Sequence, residues 1–298
     1  MDFFKYIHAV GTGEKGNRDL SLEEAKDMME QTLNRTAYDE QIAAFLLGWR
    51  LKPETIDEFR GVVEVCDGFI KKRAVPNSIE LGYPFDGKVN NPFIFPLVAK
   101  IFKNSELNLV VVGDDLAPAK KGITLKETAT SLKLDENIYY FDRADFFKEM
   151  HDLTPLRMRL GLRTGLNTIE KLTNVSLSDY AITGIFHKPF VQKYVDVFSH
   201  RYKRLALIQG NEGTPELFSK GRLWIADGNK VEEIIVDPEY YGINYTKSWE
   251  KITLSESLEQ TNNPSDEFLK LARLNAAVFL FVAQKAASIE EAYEMLNG

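Results

Sequence analysis

Nine cationic side chains lie between His151 and Arg204: Arg157, Arg159, Arg163, Lys171, Lys188, Lys193, Arg201, Lys203 and Arg204. Four acidic residues share that window, so it carries +5 while the rest of the 298-residue chain carries −12. Positive charge gathered on one segment of an acidic chain implies an anionic ligand; the plain alternative is a solvated face with no partner. Arginine suits bidentate phosphate contact better than lysine, and Arg159 and Arg163, four apart, share a face of any helix. Their alternative is ion pairing with Glu149, Asp152 or Glu170. The run Arg201-Tyr202-Lys203-Arg204 falls between a helix and a strand, where cations also satisfy helix C-terminal carbonyls. Such a set predicts phosphate contacts with little sequence specificity. Protonation of His187 or His200 near pH 6 would add to it.

A second group could hold phosphate or metal. Asp114 and Asp115 follow an apolar run, at the strand end where open α/β sheets bind ligands. Two carboxylates there can hold Mg²⁺ through its water shell, or form a polar turn. Lys120-Lys121-Gly122-Ile123-Thr124 precedes a helix, where ammonium groups and free amides can cradle phosphate. Gly11-Thr12-Gly13-Glu14-Lys15-Gly16 fits a dinucleotide fingerprint in letters only. A helical pattern precedes it and a capped helix follows, so it reads as a helix–helix turn. The histidines show no metal spacing. Lone Cys66 excludes an intrachain disulfide and reads as core.

The elements behind these residues fall into two parts. The first 75 residues read as helices: Phe3, Phe4 and Ile7 at helical spacing, a capping box from Ser21 to Glu24, and a helix over Tyr38–Trp49. A fourth helix follows Pro53, placed in its first turn. From residue 76 to 298 strands alternate with helices. Leu107–Val112, Tyr180–Gly184 and Leu205–Gly210 read as buried strands. Leu223–Ala226 and Val231–Val236 flank the hairpin signal Asp227-Gly228-Asn229. Helices are expected at Pro92–Phe102, Thr124–Leu132, Lys188–His200 and Asp266–Ala287. The fold class is therefore α/β: a small all-helical N-terminal domain, with 152–175 packing back on it, and a larger, mostly parallel α/β domain. The start MDFFKYIHAV lacks a basic n-region, and no run spans a bilayer, so a cytoplasmic protein without membrane contact is expected.

Three segments carry a family resemblance. DLSLEEAKDMMEQTLNRTAYDEQIAAFLLGWRLKPETIDEF resembles the helical start of anthranilate phosphoribosyltransferases. LTPLRMRLGLRTGLNTIEKLTN resembles their substrate-binding crossover, and LNAAVFLFVAQKAASIEEAYEML their closing helices. The resemblance implies the nucleoside phosphorylase or phosphoribosyltransferase type II-like fold, often dimeric through the helical part. The family's motifs are altered, however. Its G-T-G-G-D loop is replaced by Tyr83–Pro92, in which only Gly87 remains. Its K-H-G-N-R becomes Val111–Asp115, and its metal-binding Asp-Glu pair becomes Pro215-Glu216. Lys120 and Gly122 match its K-S-G segment, and Arg163 the arginine of its R-T-I-F-N run. A second branch of the superfamily, whose characterised members bind nucleic acid as dimers, is similar at Gly11, Gly13 and Arg18-Asp19-Leu20. It is also similar at Thr168–Leu172 and Gly210–Gly213.

The leading expectation is a non-biosynthetic family member that binds nucleic acid through the nine cations, with a salt slope of roughly −3 to −4. It needs no cofactor. The alternative is a glycosyl- or phosphoribosyltransferase with a remodelled site. Asp86, Gly87, Lys88, Asn90, Asn91, Lys120 and Gly122 would then hold phosphate, and Asp114, Asp115 and Glu216 would hold Mg²⁺. A third reading is a dimeric scaffold for an acidic protein. Anthranilate phosphoribosyltransferase activity is not expected. A homodimer is expected on the stripe Ile42, Phe45, Leu46 and Trp49.

Overall fold

The structure is a computed structural model describing residues 2–228 and 230–297. Four helices form the N-terminal part: α1 (Phe4–Gly11), α2 (Leu22–Leu33), α3 (Asp39–Leu51) and α4 (Ile56–Phe69). The expected capping box opens α2, with Ser21 and Glu24 bonded reciprocally. Thr55 and Glu58 repeat it at α4. Pro53 therefore lies outside that helix, not in its first turn. The backbones of α2 and α4 touch: a Cβ on Gly61 would stand 2.5 Å from the Leu22 carbonyl oxygen. Gly11–Gly16 is a turn between helices, as its flanks predicted.

Seven strands follow: β1 (Ser78–Gly82), β2 (Asn108–Gly113), β3 (Ile138–Asp142), β4 (Tyr180–Gly184), β5 (Arg204–Ile208), β6 (Gly221–Asp227) and β7 (Lys230–Val236). They form one sheet in the order β3-β2-β1-β4-β5-β6-β7. The first five in that order pair in parallel, and β6 and β7 are antiparallel. Asp227 faces Lys230 across the expected hairpin; its Asn229 lies outside the described residues. Connecting helices are α5 (Phe95–Ile101), α6 (Leu125–Ser131), α7 (Arg143–Phe146), α8 (Lys148–His151), α9 (Thr154–Leu160), α10 (Leu166–Ile169) and α11 (Phe190–Phe198). The chain closes with α12 (Leu254–Asn262), α13 (Asp266–Val282) and α14 (Ile289–Met295).

Alternate strand residues enter different cores. Val110 and Val112, with Leu205 and Leu207, join the apolar cluster of the helical part. Leu109 and Val111, with Ala206 and Ile208, join the cluster containing α5 and α13. Burial of both faces is why these strands are continuous apolar runs. Segment 154–172 packs on the helical part. There Gly165 lies against Trp49, and a Cβ would stand 2.7 Å from the indole. The stripe Ile42, Phe45, Leu46 and Trp49 is spent on internal packing, each residue 2% exposed or less. It is not the free face expected for a dimer. Cys66 is buried in the same cluster. Among the described residues no helix is long and apolar enough to cross a membrane.

Candidate functional site

The loop after β1 meets the segment before α6 at very short range. Gly87 has φ 77°, and a Cβ on it would stand 2.5 Å from the Gly122 carbonyl carbon. Lys88 and Ile123 exchange backbone hydrogen bonds, and the Gly122 amide donates to the Asp86 carbonyl. Asp86, Gly87, Lys88, Lys120 and Gly122 thus converge, but several of their amides bond each other instead of facing an anion. Asn90 and Asn91 point elsewhere, tying the loop to the carbonyls of Ser248, Trp249 and Glu250.

Three carboxylates neutralise the cations of this cluster. Glu216, fully buried, accepts from Lys88, the Tyr83 hydroxyl and the amides of Ile94 and Phe95. Burial, then Glu216, push the Tyr83 phenol well above its ordinary pKa. Asp86 pairs with Arg163, and its Oδ1 lies 3.5 Å from Lys120 Nζ. Glu212 takes the amides of Val89 and Asn90. Burial lowers the Lys120 pKa, opposed by Asp86 and Glu212.

The cationic window does not form one basic surface. Arg157 is buried and bonded bidentately to Glu170, which also takes buried Arg143. Arg159 pairs with Asp39, Arg163 with Asp86, Lys188 with Glu233 and Lys193 with Glu54. Arg201 pairs with Asp67, Lys203 with Asp179 and Arg204 with Asp227. Arg201 is only 7% exposed at its side chain, because it also donates to the Leu172 and Thr173 carbonyls. Burial, then Arg201 and Arg60, hold the His200 pKa below its ordinary value, which works against the charge expected of it there.

Lys171 differs from these eight. It is 9% exposed and donates to the Gly184 carbonyl at 2.6 Å, with Nζ 5.0 Å from the centre of the Tyr194 ring. Among the described residues it has no carboxylate partner. It lines a cleft of about 760 Å³ between the end of α3 and the carboxyl ends of β1 and β4. Arg50, Glu54, Arg163, Thr164, Phe186 and Phe190 share that lining. The Thr164 hydroxyl is buried, and no protein group among the described residues bonds it. Sequence reasoning missed Thr164, Arg50, Glu54 and the two phenylalanines. The run Arg163-Thr164 was the available signal for the first.

The expected metal set does not assemble. Asp114 and Asp115 gather with His151, their ligand atoms within 4.8 Å of one another, and Glu216 is not among them. Asp114 is committed to Arg143 and to His151 Nδ1 at 2.6 Å. Glu216 has filled both oxygens with four donors, and Pro215 supplies none. Mg²⁺ seeks several free oxygen ligands in octahedral array, so these residues do not fit it.

Residues 5–67 match a family model described as glycosyl transferase family, helical bundle domain. Residues 115–297 match one described as glycosyl transferase family, a/b domain. An uncharacterised protein of Aquifex aeolicus is 30% identical, covering 98% of this chain and 97% of its own. Anthranilate phosphoribosyltransferase of Petrotoga mobilis is 27% identical, covering 97% and 90%. The same enzyme of Thermus thermophilus superposes with TM-score 0.75 at 17% identity, covering 99% of this chain and 93% of that one. The Saccharomyces cerevisiae enzyme in complex with PRPP and Mg gives 0.74 at 13%, covering 99% and 92%. Helical bundle and α/β sheet, matched in order and along nearly the whole length, place this chain in that glycosyl transferase family, alongside the anthranilate phosphoribosyltransferases it resembles.

Proposed function

We propose that this chain binds a small anionic molecule in the cleft between its helical and α/β parts and does not transfer phosphoribose. Lys171 carries the reading: a nearly buried ammonium in the cleft with no counter-charge among the described residues, in a lining that also holds the unbonded Thr164 hydroxyl. Keeping a desolvated charge unpaired is costly unless a ligand supplies the missing partner. Phosphoribosyl transfer needs a diphosphate and its metal held while positive charge grows on the ribose. Here Glu216 and Asp86 already neutralise Lys88 and Arg163, and the metal carboxylates do not assemble.

Nucleic acid fits less well. Eight of the nine cations of the window face an internal carboxylate. Only Arg159, Lys188 and Lys203 are exposed enough to trade theirs for phosphate. Three contacts give a salt slope no steeper than roughly −3.

Calorimetry with benzenesulfonate, benzoate and labelled single-stranded DNA tests the order of these readings. The organic monoanions should bind the wild type, and Lys171→Met should weaken them by roughly tenfold or more, the loss of one charge-assisted hydrogen bond. Thr164→Val should cost less. Equal affinity in Lys171→Met, or turnover of anthranilate with phosphoribosyl diphosphate and Mg²⁺, would end the proposal.

A further inference from the structure

Glu212 binds two backbone amides as a free anion would. Its Oε2 accepts from the Val89 amide at 2.6 Å and its Oε1 from the Asn90 amide at 3.2 Å. Lys120 Nζ lies 3.9 Å from the same carboxylate and donates to the Glu212 carbonyl at 2.8 Å. Two successive amides and an ammonium converging on one point form an anion nest. The occupant here is a side chain of the same protein.

That occupant is held less firmly than its neighbour. Glu216 is fully buried with four donors, whereas the Glu212 side chain reaches the surface, 10% exposed. Glu212 also sits at φ 55°, a left-handed conformation that residues other than glycine adopt rarely. The turn beneath it is seated hard. A Cβ on Gly184 would stand 2.2 Å from the Thr214 carbonyl oxygen, and one on Gly210 2.1 Å from it. The backbone is fixed, so the side chain is the part free to move.

We infer that Glu212 is a displaceable plug: a phosphate group entering the nest takes the Val89 and Asn90 amides and the Lys120 ammonium, and the Glu212 carboxylate rotates out to solvent. Phosphate affinity at rest is therefore low and set by competition with the plug. Inorganic phosphate and phosphate monoesters share the chemistry, and Lys171 and Thr164 take no part.

Calorimetry at fixed ionic strength, with inorganic phosphate and with phenyl phosphate and no cleft ligand present, tests the plug by itself. Glu212→Ala should bind inorganic phosphate roughly tenfold tighter than the wild type. Glu212→Gln keeps an acceptor oxygen but loses the charge, and should fall between. Adding Lys120→Met to Glu212→Ala should remove the gain. A gain with phenyl phosphate alone would place the recognition on the ring and overturn the nest. Affinity for inorganic phosphate that is equal in wild type and Glu212→Ala overturns it too. Should Glu212→Ala unfold, equal affinity in Glu212→Gln does the same.

Discussion

Lys171 and Arg163 line one cleft, yet only Lys171 keeps its charge free, because Asp86 reaches Arg163 from 77 positions away. Charge density along the sequence located both residues but could not show that pairing, since through-space partners leave no mark on local composition. Arg143 shows the same limit. It lies outside the cationic window and is fully buried between Asp114 and Glu170. Glu54 is the counterweight in the cleft. Burial raises its carboxyl pKa above the ordinary value, opposed by Lys193. A raised carboxyl pKa means that the folded protein takes up the proton early as pH falls. Each protonation removes a negative charge beside the ligand, so binding of an always-ionised probe such as benzenesulfonate should tighten as pH falls from neutral toward the carboxylate range, by a few-fold, roughly the screened effect of one charge. In a His187→Asn background, which removes the other ionisable ring of the lining, Glu54→Gln should bind tightly throughout and lose the slope. A pH-independent affinity in the wild type would exclude Glu54 from the site. The same shift makes Glu54 stabilise the fold as pH falls through its folded value, relative to its contribution at neutral pH.

Elements were legible where the local pattern had one explanation. β2, β4 and β5 are short apolar runs buried on both faces, and β6 and β7 flank a turn signal. β1 and β3 escaped that pattern. β1 carries Glu80 at its centre, a residue that argues against a central strand until its partners are known. Those partners are the Thr173 and Asn174 amides and the Tyr202 hydroxyl, on chain far from β1. β3, Ile-Tyr-Tyr-Phe-Asp at the sheet edge, is neither a continuous apolar run nor a clean alternation. The helical part depends on close approach as much as on apolar area. Because the Cβ of Gly61→Ala would meet the Leu22 carbonyl at 2.5 Å, a backbone atom that cannot rotate away, α2 and α4 must separate. The expected cost is about 1–3 kcal/mol, read as a lower midpoint in urea unfolding followed by circular dichroism. An unchanged midpoint would mean that the two helices have slack.

At the scale of the molecule, the apolar stripe expected outside has gone inside, and a different set of residues remains on the surface. Phe4 is 57% exposed and Leu47 38%, with Tyr38 and Leu51 above 70%. A groove of about 920 Å³ runs beside Leu47 and Leu51, with Ile7, Val10 and Ala44 on its apolar side and Glu14, Arg18, Asp19 and Lys52 at its polar side. Leu47 and Leu51 lie one turn apart on α3, so they present one face. Leu47 and Leu51, with Phe4 on the adjoining helix α1, are exposed on a domain that has already filled its own core, and they suit a second copy of the same surface. Homodimerisation through this face remains our proposal for the assembly, and a stable interface would need about 800 Å² from each partner. Leu51 also lines the ligand cleft, so substituting it would confuse assembly with binding. Phe4→Glu with Leu47→Glu avoids that overlap. Light scattering at micromolar concentration should give a dimer for the wild type and a monomer for the double variant, with unchanged helical circular dichroism. A wild-type monomer would refute the proposal. A double variant that stays dimeric would move the interface elsewhere, away from the helical face.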